Sequence, residues 1–355
     1  MKKLYKDIRF TKGILTLTAG LLIAGCSAED ELGNNSSAQQ LNMIPMVNDL
    51  QKSRANDEDA LHEKTLSKLD FKMFEPEFGK CCVNHQSSSP AENQAEVLGK
   101  DNWKVDLNLQ ENHSYNYYAV ANAQADLSKK TLEELQAATQ QDNDIWQPYP
   151  QAKDKKFLMS AKGQYIISKD PIQDIPVELV RAAAKIKLNL SSSVNGYNMT
   201  SVNWKFLNYN TNTSVFAGQT ATPNIMSNNA DNMVDKDKIE ANKCSVTTYS
   251  YSTTWTSQED APKIAVKVVF QSKDNKNDTR EKELTIPVRD PKGEKKLERN
   301  YIYTVNADIK RLKDDINIDY DEELGYLKWA ITKWTTGEDT EVDADKASYL
   351  VVYPT

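Results

Sequence analysis

Short stretches in which apolar and polar residues alternate recur along the chain, and a period of two admits one kind of element, a strand with one buried face. Leu69-Asp70-Phe71-Lys72-Met73, Trp103-Lys104-Val105-Asp106-Leu107-Asn108-Leu109 and Ile186-Lys187-Leu188-Asn189-Leu190 carry the pattern. Further strand-like runs are Leu41–Leu50, interrupted by Pro45, and Tyr115–Asn122, Phe157–Ala161, Tyr165–Ile167, Ser201–Tyr209, Thr248–Tyr251, Ile264–Phe270, Lys282–Val288, Tyr301–Ile309, Leu327–Trp334 and Tyr349–Tyr353. The 16 Tyr, with many Thr, Val and Ile, agree, because aromatic and branched side chains pack well on a pleated surface. The turn-rich spacing of these runs is that of β-sandwiches.

At 355 residues the chain is long enough for two ordinary cores. The expectation is a mainly β protein of two tandem β-sandwich domains, residues 55–180 and 181–355. One helix interrupts the first domain, where Leu132, Leu135 and Ala138 fall at helical spacing between Ser128 and Gln140 and Thr131-Leu132-Glu133-Glu134 makes an acidic first turn. The proline-bearing segment Asp170–Glu178 is expected to bend or follow a sheet edge, since proline cannot donate to a central ladder.

The N-terminus reads as an export signal. Lys2, Lys3, Lys6, Arg9 and Lys12 precede an apolar run, Ile14–Ala24, that is short for a membrane span. The run ends in Leu22-Ile23-Ala24-Gly25-Cys26, which resembles a bacterial lipobox, so residues 1–25 are a signal peptide and Cys26 is the site of lipidation (palmitate). The polar stretch from Ser27 to Gln40 is a flexible tether. Ser27-Ala28-Glu29-Asp30-Glu31 within it resembles the surface-export signal of Bacteroidetes lipoproteins.

Several chemistries are argued against. The 51 acidic and 44 basic residues give a net charge of −7 with no basic stripe for phosphates, so no nucleic acid is expected as a partner. Beyond Cys26 there are only Cys81, Cys82 and Cys244, with His62, His85 and His113, too few for a metal site of ordinary spacing or for a nucleophile with a histidine base. No glycine-rich phosphate loop or nucleophile elbow is present, so neither a cofactor nor an enzyme is expected. A surface glycan-binding lipoprotein is an alternative, for which Trp146, Tyr149, Trp204 and Trp255 could form a platform; strand aromatics more often pack in cores.

Leu66–Gly79, Tyr117–Thr139, Leu158–Ala161, Val180–Ile186, Glu298-Arg299-Asn300 leading into Tyr303-Thr304-Val305, and the Trp334 strand follow one another in an order that resembles the Bacteroidales fimbrillins, the type V pilus subunits. The loop holding Cys81 and Cys82 and the long polar loop after Phe216 depart from that likeness. The resemblance implies transthyretin-like sandwiches and a structural subunit of a cell-surface fimbria, held at the cell outer membrane by lipid before processing. It also implies an arginine-specific protease that cuts after the first strand; Arg54-Ala55 stands at that place, making residues 26–54 a lipid-anchored propeptide. Other fimbrial subunits are then the partners, and an accessory, tip or anchor subunit is the near alternative. Loss of Leu41–Leu50 would leave unpaired backbone groups that recruit a replacement strand. The terminal Ala347–Thr355, with Tyr349, Leu350, Val351, Val352 and Tyr353, is apolar and strand-forming, and is expected either as the donor strand or as the last strand of its own sandwich.

Overall fold

The computed structural model of the chain describes residues 40–47, 63, 65–88, 109–148, 156–169, 172–289, 293–312 and 324–333. They form a mainly β protein of several sheets, none closed on itself. The first part of the chain contributes β1 (Gln40–Val47), β2 (Lys68–Phe74), β3 (Cys81–Ser88), β4 (Ser114–Ala121), the helix α1 (Leu132–Gln136), β5 (Thr139–Gln141), β6 (Met159–Ile166) and β7 (Ile172–Arg181). Six of these strands make a sheet in the order β1-β7-β6-β4-β2-β3.

The rest contributes β8 (Ala183–Ser192), β9 (Tyr197–Leu207), β10 (Tyr209–Asn210), β11 (Asn212–Ser214), β12 (Ile225–Met226), β13 (Asn232–Met233), β14 (Lys243–Tyr251), β15 (Thr253–Thr254), β16 (Lys263–Ser272), β17 (Thr279–Pro287), β18 (Lys296–Leu297), β19 (Tyr301–Ile309) and β20 (Leu324–Lys333). They form a six-stranded sheet, β12-β10-β14-β8-β19-β20, a four-stranded sheet, β13-β9-β16-β17, and the ribbon β15-β18. β11 pairs with β5, tying the two parts of the chain together.

Alternation builds these sheets. On β16, Ile264, Val266, Val268 and Phe270 are buried while Ala265, Lys267 and Val269 are half-exposed, and on β19 Tyr303, Val305, Ala307 and Ile309 are buried. Leu69, Phe71 and Met73 are buried on β2, and so are Asp70, Lys72 and Phe74 between them, because the opposite face is covered too. Lys72 reaches that cover directly, its Nζ donating to the carbonyls of Ser128 and Lys130 at 2.8 and 2.9 Å. The buried apolar residues from Leu66 to Trp329 form one continuous cluster.

Two local readings are corrected and a third holds in part. The loop expected around Cys81 and Cys82 is the edge strand β3, with Cys82, Val83 and His85 buried. The helix is shorter than Ser128–Gln140: it is capped by Thr131, whose hydroxyl accepts the Glu134 amide while the Glu134 carboxylate accepts that of Thr131, and it stops where Thr139 enters the β5 ladder. The proline segment becomes part of β7, which lies between β1 and β6 in strand order but has no β6 ladder partner from Ile172 to Leu179, so Pro176 does lie along an open edge. Trp103–Asn108 lie outside the described residues.

A corner motif appears twice. The Gln110 amide donates to the Tyr115 hydroxyl at 2.9 Å, and the Glu298 amide donates to the Tyr303 hydroxyl at 2.8 Å. Each corner turns on an asparagine with positive φ, Asn112 at 59° and Asn300 at 62°, a conformation that asparagine tolerates better than most residues. Gln110-Glu111-Asn112-His113-Ser114-Tyr115 and Glu298-Arg299-Asn300-Tyr301-Ile302-Tyr303 thus start β4 and β19 in the same way, by the device known in sandwiches as a tyrosine corner. Tyr115→Phe and Tyr303→Phe each orphan one amide and are expected to lower stability by about 1–3 kcal/mol in chemical denaturation. Unchanged midpoints would show that neither corner matters to the fold.

Candidate functional site

The edge of the first sheet is the place where this architecture could be opened. β1 runs parallel to β7 over eight residues, from Gln40 against Ile172 to Val47 against Leu179. On its other side β7 meets β6 only at Met159–Arg181 and Ser160–Val180 and then diverges. From Ile172 to Leu179, therefore, the only ladder partner of β7 among the described residues is β1. Ile175, Val177 and Leu179 are buried, with exposed Pro176 and Glu178 between them.

A cleft of 430 Å³ opens where β6 and β7 part, lined by Tyr117, Lys162, Pro176, Glu178, Val180 and Phe216 among others. Burial, and secondarily the Glu178 carboxylate, push the Tyr117 phenol above its ordinary pKa. The Tyr117 ring lies directly over Gly163, where an added Cβ would come within 2.8 Å of it.

Just before β2 the chain is pinned. The Glu63 carboxylate lies 2.7 Å from Lys185 Nζ and accepts the Tyr249 hydroxyl at 2.6 Å, and the Glu63 carbonyl accepts Arg181 Nε at 2.8 Å. All four residues are buried. Lys185 lies on β8 and Tyr249 on β14, so this cluster joins the segment entering β2 to the six-stranded sheet of the later part. Glu63→Gln removes the carboxylate charge that faces the buried Lys185 ammonium and is expected to cost about 3–5 kcal/mol. Glu63→Gln with Lys185→Met should lose less than the sum of the two single changes, as measured by urea midpoints. Strict additivity would show that the two side chains are not coupled.

Cys26, Arg54, Ala55 and the expected donor Tyr349, Leu350, Val351, Val352 and Tyr353 lie outside the described residues. Two other basic residues could be cut instead of Arg54: Lys52 also lies outside the described residues, while Arg181 is 1% exposed and held by Glu63. A protease cannot reach Arg181 in the folded chain. Sequence patterning had singled out neither Glu63 nor Lys185; a lone Glu in an acidic stretch and a Lys at an otherwise apolar strand start carry no signal until the fold joins them.

Cys81, Cys82 and Cys244 are thiols in no disulfide. Cys81 is exposed, Cys82 is buried, and burial pushes the Cys244 thiol up to about 11. An alkylating reagent at neutral pH is expected to label Cys81 at least about tenfold faster than Cys82 or Cys244 in native protein, and all three alike in denaturant, read by peptide mass spectrometry. Equal native rates would contradict this placement. Among the described residues no cluster of three or more His, Cys, Asp or Glu side chains could hold a metal.

Of the aromatics proposed as a glycan platform, Trp204 and Trp255 are buried, and Trp146 is partly buried with its ring edge-on to Trp204 at 6.2 Å. Tyr149 lies outside the described residues. These three tryptophans belong to packing, not to an open stacking surface.

No family model matches the sequence, and no curated protein matches it. Solved structures do. A fimbrilin from Porphyromonas gingivalis superposes with a TM-score of 0.55 at 13% identity, over 85% of this chain and 99% of that one. A Bacteroides eggerthii protein, provisionally described as a cell adhesion protein, gives 0.54 at 16% identity over 85% and 98%. The tip fimbrial protein Mfa3 from Porphyromonas gingivalis, truncated at its C-terminus, gives 0.51 at 14% identity over 78% and 96%. At these identities the likeness speaks to architecture, and the chain has the fold of the Bacteroidales fimbrillins.

Proposed function

We propose that this chain is a structural subunit of a cell-surface fimbria rather than an enzyme. In this reading it consists of two tandem sandwiches dividing near residue 180. It is exported as a lipoprotein acylated at Cys26, cut after Arg54 and joined to its neighbours by strand replacement, with other fimbrial subunits as partners. The observation that carries the reading is the position of β1: an edge strand with one neighbour, β7, whose pairing from Ile172 to Leu179 depends on it. Arg54 falls between β1 and the Glu63 pin. A cut there severs β1 from the body while the entry to β2 stays anchored.

Once β1 leaves, the β7 edge has unmet backbone donors and acceptors beside a buried apolar row, a combination that recruits another strand. A donor burying four or five apolar side chains would gain roughly 7–12 kcal/mol before ordering costs. A contact between the edge of one subunit and the tail of the next does not close on itself, so it propagates a filament. The fimbrilin and tip-protein folds support a fimbrial role at the cell surface. The likeness to the tip protein also supports an accessory position, and antibody labelling along the length or only at the end of fibres separates the two.

Treating the purified precursor with an arginine-specific protease tests the proposal. The expected result is a new N-terminus at Ala55 and multimers that survive mild denaturant, with loss of both in Arg54→Ala. Complete cleavage at Arg54 that yields only monomer would overturn it.

A further inference from the structure

A parallel ladder draws on alternate residues: of two register partners, one turns its N–H and C=O toward the neighbouring strand and the other turns them away. β1 contains Pro45 and β7 contains Pro176, and neither has an N–H to give. The register sets Ile44 against Pro176 and Pro45 against Val177. In one phase, Asn42, Ile44 and Met46 bond to Ile175, Val177 and Leu179, and both prolines face away from the shared edge. In the other phase both prolines enter the ladder and two donors are lost.

The far end of β7 fixes the phase independently. The Ala182 amide donates to the Leu158 carbonyl at 2.8 Å, and Val180 pairs with Ser160, so the even-numbered residues there face β6. Continued back along the strand, the same alternation turns Glu178 and Pro176 toward the side where β6 has diverged, and Leu179, Val177 and Ile175 toward β1. The side away from β1 is thus blunted twice, by the donor missing at Pro176 and by the exposed Glu178 carboxylate. Lys162 is exposed across the same cleft.

We propose that Pro176 makes β7 a one-sided acceptor, so that a strand from a second subunit can enter only along the edge now held by β1, bonding to the main chain of Ile175, Val177 and Leu179. This rests on the reading of β7 as the acceptor, and it adds which edge and which backbone groups receive the incoming strand. A replacement strand that runs parallel to β7, as β1 does, can then carry proline opposite Val177 but not opposite Pro176.

Residue-resolved hydrogen exchange on the full-length chain tests the phase. The Val177 and Leu179 amides are expected to exchange at least about 100-fold more slowly than that of Glu178, and comparable rates at Val177 and Glu178 would overturn the proposal. Glu178→Pro should preserve protection of the Ile44 and Met46 amides, whereas Val177→Pro should abolish it and Val177→Ala, the control for lost side-chain volume, should retain it. Glu178→Pro stripping β1 as completely as Val177→Pro would also refute it. After cleavage at Arg54, Glu178→Pro should form multimers like the parent chain and Val177→Pro should not. If the parent stays monomeric, the polymer reading fails on that result, while the exchange data still decide which edge of β7 is open.

Discussion

Backbone pairing along β7 is the constraint on which the rest depends. An amide or carbonyl withdrawn from water must find a partner, and a strand of ten residues has many to satisfy. β7 obtains two register pairs from β6 and eight from β1. β1 is therefore structurally necessary to its sheet and yet held to it along a single edge. An inner strand such as β4, laddered to β2 on one side and to β6 on the other, could not be withdrawn without breaking two ladders.

Withdrawal would unravel the sheet if β2 and β7 had no other support, and buried polar clusters supply it. The Glu63 carboxylate meets Lys185 and Tyr249, while Arg181, at the end of β7, holds the Glu63 carbonyl, so both flanks of the opened region are fixed to β8 and β14. A buried ion pair is a poor source of net stability, because desolvation consumes most of the Coulomb gain, but it is strict about geometry. Arg299 does comparable work nearby. It binds the carbonyls of Val215 and Ser214 and the Thr213 hydroxyl, fixing β11 and through it β5, and burial pushes its pKa down to about 10.

Strands with a clean alternation were legible in the sequence. Leu69–Met73, Ile186–Leu190 and Tyr301–Ile309 all lie within strands, because one face of each is apolar and burial follows directly. β3 was not legible: Asn84, Gln86 and Ser87 make it read as a loop, and it is a strand because edge pairing with β2 satisfies its backbone whatever its polarity. Pro176 of β7 signalled an open edge, but not that β1 would pair along its other side. Proline excludes a ladder only where its nitrogen faces the neighbour, and periodicity does not reveal which way that is. The Glu63 cluster depends on contacts 118 to 186 residues apart, which no local pattern encodes. Arg54, Cys26 and residues 347–355 lie outside the described residues, and the expectations for them rest on motifs and resemblance alone.

Three other edges, those of β12, β13 and β17, bear on where exchange would fall. The polar segment after Phe216 had no assignable role in the sequence, yet its two short strands cap two sheets: β12 extends the six-stranded sheet beyond β10, and β13 extends the four-stranded sheet beyond β9. Two-residue strands offer an incoming chain too little ladder to hold. At the opposite edge of the four-stranded sheet, β17 alternates Arg280, Glu281, Lys282 and Glu283, and Lys267 of β16 pairs with Glu281 at 2.6 Å, so an apolar strand added there would have to disturb solvated charges. β7 differs from these edges in both respects. Beneath β1 it offers a full-length ladder beside a buried row of Ile175, Val177 and Leu179, so removing β1 exposes an edge of a kind that β12, β13 and β17 do not present.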